Sequence, residues 1–366
     1  MIKRIAKKAY ILFLKARWGM RGPGVFMLAD SYLKDYRDRK VSFGKIFGIH
    51  RRGFTVPDWR YLGLNKQNCA RYLSNVQYYE MHPLNGRYSA WIDDKLTLKY
   101  LCAGTELDQY MPEYYFHISA GGDILCLSDC PVKKEAAVVE DIAALLRQKG
   151  ELALKKVAGS IGEGFYRAEY SGGNYLLNGR MLKEESFCAE IASLREYLVT
   201  EFLKPHRELA EYCSDTVNCI RYLLGVWGGK TLLLKGFIRF GTRQSGFVEN
   251  YNAGGVLCYL NADGEFSEGN VVNIESGENR LIREHPDTGR RLEGKIPLWE
   301  NIVEACRAFH KQFPQLEYLG IDFVVTSNDK VKILEINSLN SLDTIQLDGS
   351  ILESEAGAFF RERMRG

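Results

Sequence analysis

The sequence predicts an α+β chain of two or three lobes, and three stretches carry that expectation. Residues 318–337 hold two apolar, β-branched runs, 321–325 and 331–334, separated by the polar turn Ser327, Asn328 and Asp329. That is the pattern of a hairpin. Residues 152–157 read as a strand that runs straight into a loop containing Gly159, Gly162 and Gly164, followed by a second strand over 165–170. Helical patterns fall among these strands. One covers 138–148 and is closed by Gly150, and another covers 298–313, opened by Pro297 and stopped by Pro314. With 366 residues, 46% of them hydrophobic, the chain can bury a large core and is expected to divide into lobes.

Composition excludes several classes. A net charge of +3 is too small to argue for nucleic acid, and no ladder of alternating aromatic and basic residues is present to stack bases. The nine cysteines are odd in number and none is spaced C-x-x-C. They read as reduced, mostly core thiols of a cytoplasmic protein. None of the six histidines sits in H-E-x-x-H, so transition-metal catalysis has no support.

Taken in order, residues 1–18 read as a basic amphipathic helix. Ile2, Ile5, Ala9, Leu12 and Phe13 can share a stripe, with Lys3, Arg4, Lys7, Lys8 and Lys15 largely off it. Its apolar part is too short to span a bilayer. It is expected either to dock on the protein itself or to make peripheral contact with anionic lipid at the inner face of the membrane. Residues 20–90 carry no assignable motif. A helix follows at 91–100, with Asp93 and Asp94 at its opening and Lys95 and Lys99 one turn apart. A solvated face is the default reading of those lysines. Residues 114–118 and 124–127 flank Gly121 and Gly122 as a hairpin, 187–197 is helical, and 198–203 is an apolar strand ending in Glu201, Phe202, Leu203 and Lys204.

Four patterns point to chemistry. Period two along 331–337 places Leu334 and Ile336 on one face and Glu335 and Asn337 on the other. With Asp322 on the partner strand, three oxygen side chains on rigid strands would suit Mg²⁺; the bland alternative is an acidic surface ribbon. The loop 159–164 is not a Walker P-loop, because no helix follows and the lysine precedes the glycines. It reads as a flap that lets backbone N–H groups approach phosphate, or as a plain glycine turn. Arg221 and Arg239 sit inside the apolar strands 216–224 and 231–240. There each must be paired or face a ligand. Finally, 249–255 is a polar loop between strands, a usual carrier of binding residues.

The order of these pieces resembles the ATP-grasp superfamily. Asp94, Lys95 and Lys99 are similar to the segment before the central lobe of D-alanine–D-alanine ligases, which implies phosphate binding by Lys99. Lys155 with Gly159, Ser160, Gly162 and Gly164 resembles the nucleotide flap. Lys156 stands where that motif has proline, so either Lys155 or Lys156 is its lysine. Glu201 to Lys204 correspond to the hinge beside adenine. Arg221 and Arg239 resemble the arginine-bearing strands of α-L-glutamate-ligase-like enzymes. Asn250, Asn252, Gly254 and Gly255, together with residues 285–299, resemble the sugar-transfer-associated group, although Glu249 replaces its usual aspartate.

The resemblance runs from about residue 90 to the C-terminus. It implies an ATP-grasp fold with a leader and pre-ATP-grasp domain at 1–113, a flap lobe at 114–204 and a catalytic lobe at 205–366. It implies ATP and two Mg²⁺ ions held by Asp322, Glu335 and Asn337, with Arg221, Arg239 and Lys99 as catalytic residues. The implied activity is ADP-forming ligation of a small-molecule or saccharide carboxylate to an amine, in polysaccharide or peptide-conjugate synthesis. A kinase on the same fold and a non-catalytic nucleotide-binding subunit are the alternatives.

Overall fold

The structure is a computed structural model that describes residues 2–38, 40–134, 136–159, 164–246, 251–273 and 277–364. Two antiparallel sheets organise it. The smaller lobe is built on β1 (Tyr114–Ile118), β2 (Ile124–Cys126), β3 (Ala136–Ala137), β4 (Glu151–Lys156), β5 (Tyr166–Ser171), β6 (Asn174–Leu177), β7 (Arg180–Leu182) and β8 (Tyr197–Glu201). Their order is β3-β2-β1-β8-β4-β5-β6-β7. The helices Val139–Lys149 and Glu184–Ser193 pack on this sheet. Ile142, Leu146, Phe187 and Ile191 share one core with Phe116, Leu154 and Val199. The first helix ends where expected, at Gly150, whose φ of 80° only glycine adopts readily. The second stops four residues earlier than its pattern suggests. Glu196, with φ of 57°, turns the chain directly into β8.

The larger lobe carries β9 (Ile220–Trp227), β10 (Lys230–Phe240), β11 (Val256–Leu260), β12 (Glu265–Phe266), β13 (Gly269–Asn273), β14 (Glu278–Ile282), β15 (Gly294–Lys295), β16 (Tyr318–Val325) and β17 (Val331–Asn337). Seven of these form a sheet in the order β14-β13-β11-β10-β9-β16-β17, and β12 pairs with β15. Every residue of β16 is buried, as a strand covered on both faces requires. The helix Trp299–Gln312 covers one face through Ile302 and Phe309. The opposite face is covered from the N-terminal part of the chain. Ile46, Phe54 and Val56 pack with Phe237, Leu257 and Val272, and Leu73 and Tyr78 pack with Leu223, Tyr318 and Phe359. Residues 20–90, silent as sequence, therefore supply half of the large sheet's cover.

Two sequence readings are corrected. The N-terminal helix, Ile2–Trp18, docks on Gly24–Asp35 through Leu14, Tyr10, Ile11 and Trp18. Three members of the expected stripe, Ile5, Ala9 and Leu12, face solvent instead. The stripe misleads because this helix is apolar on two sides. In the hairpin, Asp322 pairs with Glu335 but Phe323 pairs with Ile333, which leaves Leu334 as the extra residue of a bulge. Ile333 and Ile336, rather than Leu334 and Ile336, thus enter the core. The bulge sits just where the acidic residues begin, a common device for aiming side chains.

Candidate active site

A cavity of about 350 Å³ is lined by residues from three parts of the chain: Asp93 and Lys95, Ala158 and Gly159, and Glu335 to Leu339. Asp94 caps the helix Lys95–Cys102, accepting from Thr97 N at 2.6 Å. Lys95 N in turn donates to Val157 O at 3.2 Å, which ties the helix start to the segment leaving β4. Asp93 accepts from Ser338 N at 2.9 Å and Ser338 Oγ at 2.7 Å, which fixes the chain beyond β17.

The solvated-face reading of the two helix lysines fails, because both are buried. Lys95 Nζ lies 3.0 Å from Glu335 Oε2 and donates to Gly159 O at 3.1 Å. Lys99 Nζ is held by Asp129 at 2.8 Å, Asp108 at 3.3 Å and the Pro112 carbonyl at 3.3 Å. It is not among the residues that line the cavity. Lys155 is half-buried, with Nζ 5.0 Å from the centre of the Tyr114 ring, the ring that also faces Lys99 at 5.7 Å. Burial, reinforced by the positive charge of Lys95, brings the Lys155 ammonium down to about 7 against the opposing pull of Glu335 and Glu201. The side chain of Lys156 instead packs beside Gly159 and Gly164, the two described ends of the glycine loop.

The predicted metal residues are brought together. Asp322 and Glu335 are direct partners across β16 and β17, and Asn337 Nδ2 donates to Glu335 Oε1 at 3.3 Å. Glu335 and Asn337 line the cavity, whereas the Asp322 carboxylate is turned to the strand arginines. Arg221 grips it with Nε and Nη2, the latter at 2.7 Å, and Arg239 Nη2 donates to Oδ2 at 3.1 Å. Burial would raise the Asp322 carboxyl, but Arg221 and Arg239 hold it below the usual carboxylate range. Of the two readings for buried strand arginines, the paired one is what the structure displays. Asn340 completes the cluster by accepting from Arg221 Nη1 at 2.6 Å.

The stretch Glu201 to Lys204 is the crossing between the sheets. Glu201 Oε1 accepts from Glu113 N at 3.0 Å, Phe202 lies 4.8 Å beneath the Arg167 guanidinium, Leu203 is buried, and Lys204 O accepts from Ser327 N at 2.9 Å. Gly254, at φ 103°, supports the loop before β11, and its carbonyl accepts from Thr242 Oγ1 at 3.0 Å. Gly255 follows it, buried, at the start of β11. Ser160, Gly162 and Asn250 lie outside the described residues, and so does the side chain of Asn252.

Sequence reasoning missed Lys95, Asp93, Ser338 and Asn340. Asp93 and Asp94 were legible as a helix opening. Which lysine of the following turn faces the cavity depends on where the helix docks, and that is a tertiary fact.

Residues 74–359 match the family of sugar-transfer associated ATP-grasp proteins, well over half of the chain. The chain belongs to that family. Its fold is accordingly α+β ATP-grasp, as the motif order predicts. Similar solved ATP-grasp structures include an ADP complex of purK, N5-carboxyaminoimidazole ribonucleotide synthetase (10% identity, TM-score 0.37, 69% of this chain and 46% of that one). The D-alanyl-alanine synthetase A of Vibrio cholerae matches at 14% identity and TM-score 0.38, over 69% of this chain and 56% of that one. The ATP-grasp ligase PsnB, complexed with a minimal precursor, matches at 13% identity and TM-score 0.39, over 76% and 62%. The chain thus spans about half to three-fifths of the length of these enzymes. No curated protein matches the sequence.

Proposed function

We propose that this ATP-grasp protein is an ATP- and Mg²⁺-dependent, ADP-forming carboxylate–amine ligase that works through an acylphosphate. One observation carries the reading. Lys95 pairs with Glu335 at 3.0 Å in the wall of a cavity that the start of the flap also lines, and a second lysine, Lys155, lies on β4 just before that flap, near enough to Lys95 and Glu335 to feel their charges. Cations beside hard oxygen donors in a partly closed cleft are what a metal–polyphosphate complex needs.

The donor set fits magnesium. Asp322, Glu335 and Asn337 offer carboxylate and amide oxygens on adjoining strands, and no described cluster of His, Cys, Asp and Glu offers a competing transition-metal site. These three residues would hold the ion, which supplies charge neutralisation on the β- and γ-phosphates of ATP. Lys155, and Lys95 once Glu335 is shared, would bind phosphate oxygens. The substrate carboxylate oxygen attacks the γ-phosphorus, and the bond to the β-phosphate oxygen breaks to release ADP. The amine nitrogen then adds to the acyl carbon, inorganic phosphate leaves with the bonding pair, and the nitrogen gives up a proton. Arg221 and Arg239, now paired with Asp322, would meet the negative charge that develops on the acyl oxygens. The family's sugar-transfer association directs the choice of acceptor toward a saccharide, with an amino acid or peptide next.

The test is release of ADP and phosphate from Mg·ATP across amino acids, uronic acids and nucleotide-sugars, followed by mass spectrometry. Release that requires both a carboxylate and an amine, with a product one water lighter than their sum, is expected. A product heavier by one phosphoryl group, formed without an amine, would identify a kinase. ATP binding without turnover across the whole panel would defeat the catalytic reading.

A further inference from the structure

The N-terminal helix has a second apolar face that the fold does not use. Its inner face, Tyr10, Ile11, Leu14 and Trp18, is packed on Gly24–Asp35. At 100° per residue, Ile5 and Leu12 point almost directly away from Leu14, and they are 60% and 68% exposed. The helix Phe43–His50 extends this face. Phe43 is 73% exposed and Phe47 45%, and the ring of Phe13 sits 5.8 Å from that of Phe47. Four large apolar side chains in solvent on two adjoining helices are not needed for the core and cost solubility.

The charges beside this strip are of one sign. Residues 1–18 contain six Lys and Arg and no Asp or Glu. Only Lys7 of the described side chains is committed to an acid on another helix, Asp30 at 2.5 Å. Arg4, Lys8 and Lys15 are exposed and, by the same helical geometry, form a row along one flank of Ile5 and Leu12. The strip is convex and belongs to the outside of a helix, so it has none of the walls of a peptide groove. An exposed apolar ridge with a row of cations at its edge matches a surface that is anionic at its rim and apolar just beneath.

We propose that this face, Ile5, Leu12, Phe43 and Phe47 with Arg4, Lys8 and Lys15, seats the protein in the plane of an anionic lipid surface. No helix among the described residues is long and apolar enough to cross a membrane, so the contact is interfacial. It would hold the active site beside a membrane, within reach of an acceptor carried on a lipid. The proposal does not depend on the chemistry at that site.

Flotation of the full chain with vesicles tests it, comparing phosphatidylcholine alone with equal parts phosphatidylcholine and phosphatidylglycerol. Co-flotation with the anionic vesicles only, weakened by added salt, is expected. The double variant Leu12→Glu/Phe43→Glu and the pair Lys8→Glu/Lys15→Glu should each lose at least about tenfold in partition, since each basic residue near an anionic leaflet contributes about fivefold. These side chains are exposed, so the melting temperature and ATP consumption should match wild type. Three results would overturn the idea: wild type remaining in buffer, equal flotation with neutral vesicles, or variants that float like wild type. A self-association that the apolar variant abolishes, with no vesicle binding, would assign the face to a second copy instead.

Discussion

Capture of ATP by this protein should fail as pH rises through neutrality, and the cause is a single side chain. Lys155 lies against Tyr114 with its ammonium brought down to about 7 by burial and by Lys95. Its charged form, the one that would bind phosphate on the proposed function, is present below that value and lost above it. In the free enzyme about nine-tenths of Lys155 is charged at pH 6 and about one-tenth at pH 8. The ratio kcat/KM for ATP, which reports the free enzyme, should therefore drop roughly tenfold per unit above 7. Lys95→Met then provides the internal control. It removes the nearby positive charge that disfavours the Lys155 ammonium, so the alkaline limb should move up by about one unit. It also removes a proposed phosphate ligand and should lower the acid plateau about 10²-fold. Steady-state rates at fixed Mg·ATP²⁻ from pH 5.5 to 9.5 would show both effects. A wild-type profile flat across pH 6–9, or a limb that Lys95→Met leaves in place, would refute the assignment of Lys155.

Three further outcomes are expected. Glu335→Ala removes the counter-ion of Lys95 at 3.0 Å and, on the proposed function, a magnesium ligand with it; turnover should fall at least about 10³-fold while the melting temperature stays close to wild type, and near-normal turnover would remove Glu335 from the site. Gly320→Ala would drive a methyl group into the Asn340 amide that holds Arg221; a loss of about 1–3 kcal/mol in stability and of most activity is expected, with Asn340→Ala restoring the first but not the second. Asp58, pushed up to about 7 by burial and by Asp343, keeps in the folded chain a proton that the unfolded chain has already released between the ordinary carboxylate value and 7. Stability should thus fall as pH rises through that window. Asp58→Asn should add on the order of 2 kcal/mol at pH 8 and little near pH 4, as read by thermal unfolding.

The parts that local pattern determines were legible in the sequence. The β16–β17 hairpin, the glycine-stopped helix of the small lobe and the arginines inside apolar strands each follow from the spacing of a few residues. What escaped was docking. Lys95 and Lys99 are one turn apart on the same helix, and nothing local separates one that reaches Glu335 from one that is consumed by Asp108 and Asp129. The bulge at Leu334 escaped for a related reason. Period two is a property of an undisturbed strand, and the extra residue is visible only against its partner. Residues 20–90 escaped because their apolar positions answer to a sheet some two hundred residues further on, as Phe54 does to Phe237.

The charge pattern explains how such a site can be buried before its substrates arrive. Asp322 lies under Arg221 and Arg239, and Glu335 lies against Lys95. Each carboxylate is thus neutralised by a cation that the proposed reaction would also use. An unpaired charge at either position would be expensive in a partly closed cleft, and pairing removes that cost without adding residues. On the proposed function, binding a metal–nucleotide complex would be an exchange of partners. Asp322 and Glu335 would be shared with the ion, and Lys95 and the two arginines would then be available to phosphate or acyl oxygens, so that little net charge would be desolvated. Asn340 matters in this arrangement because it keeps one bond to Arg221 that does not depend on Asp322. Were the carboxylate shared with an ion, the guanidinium would still have a fixed point on Asn340.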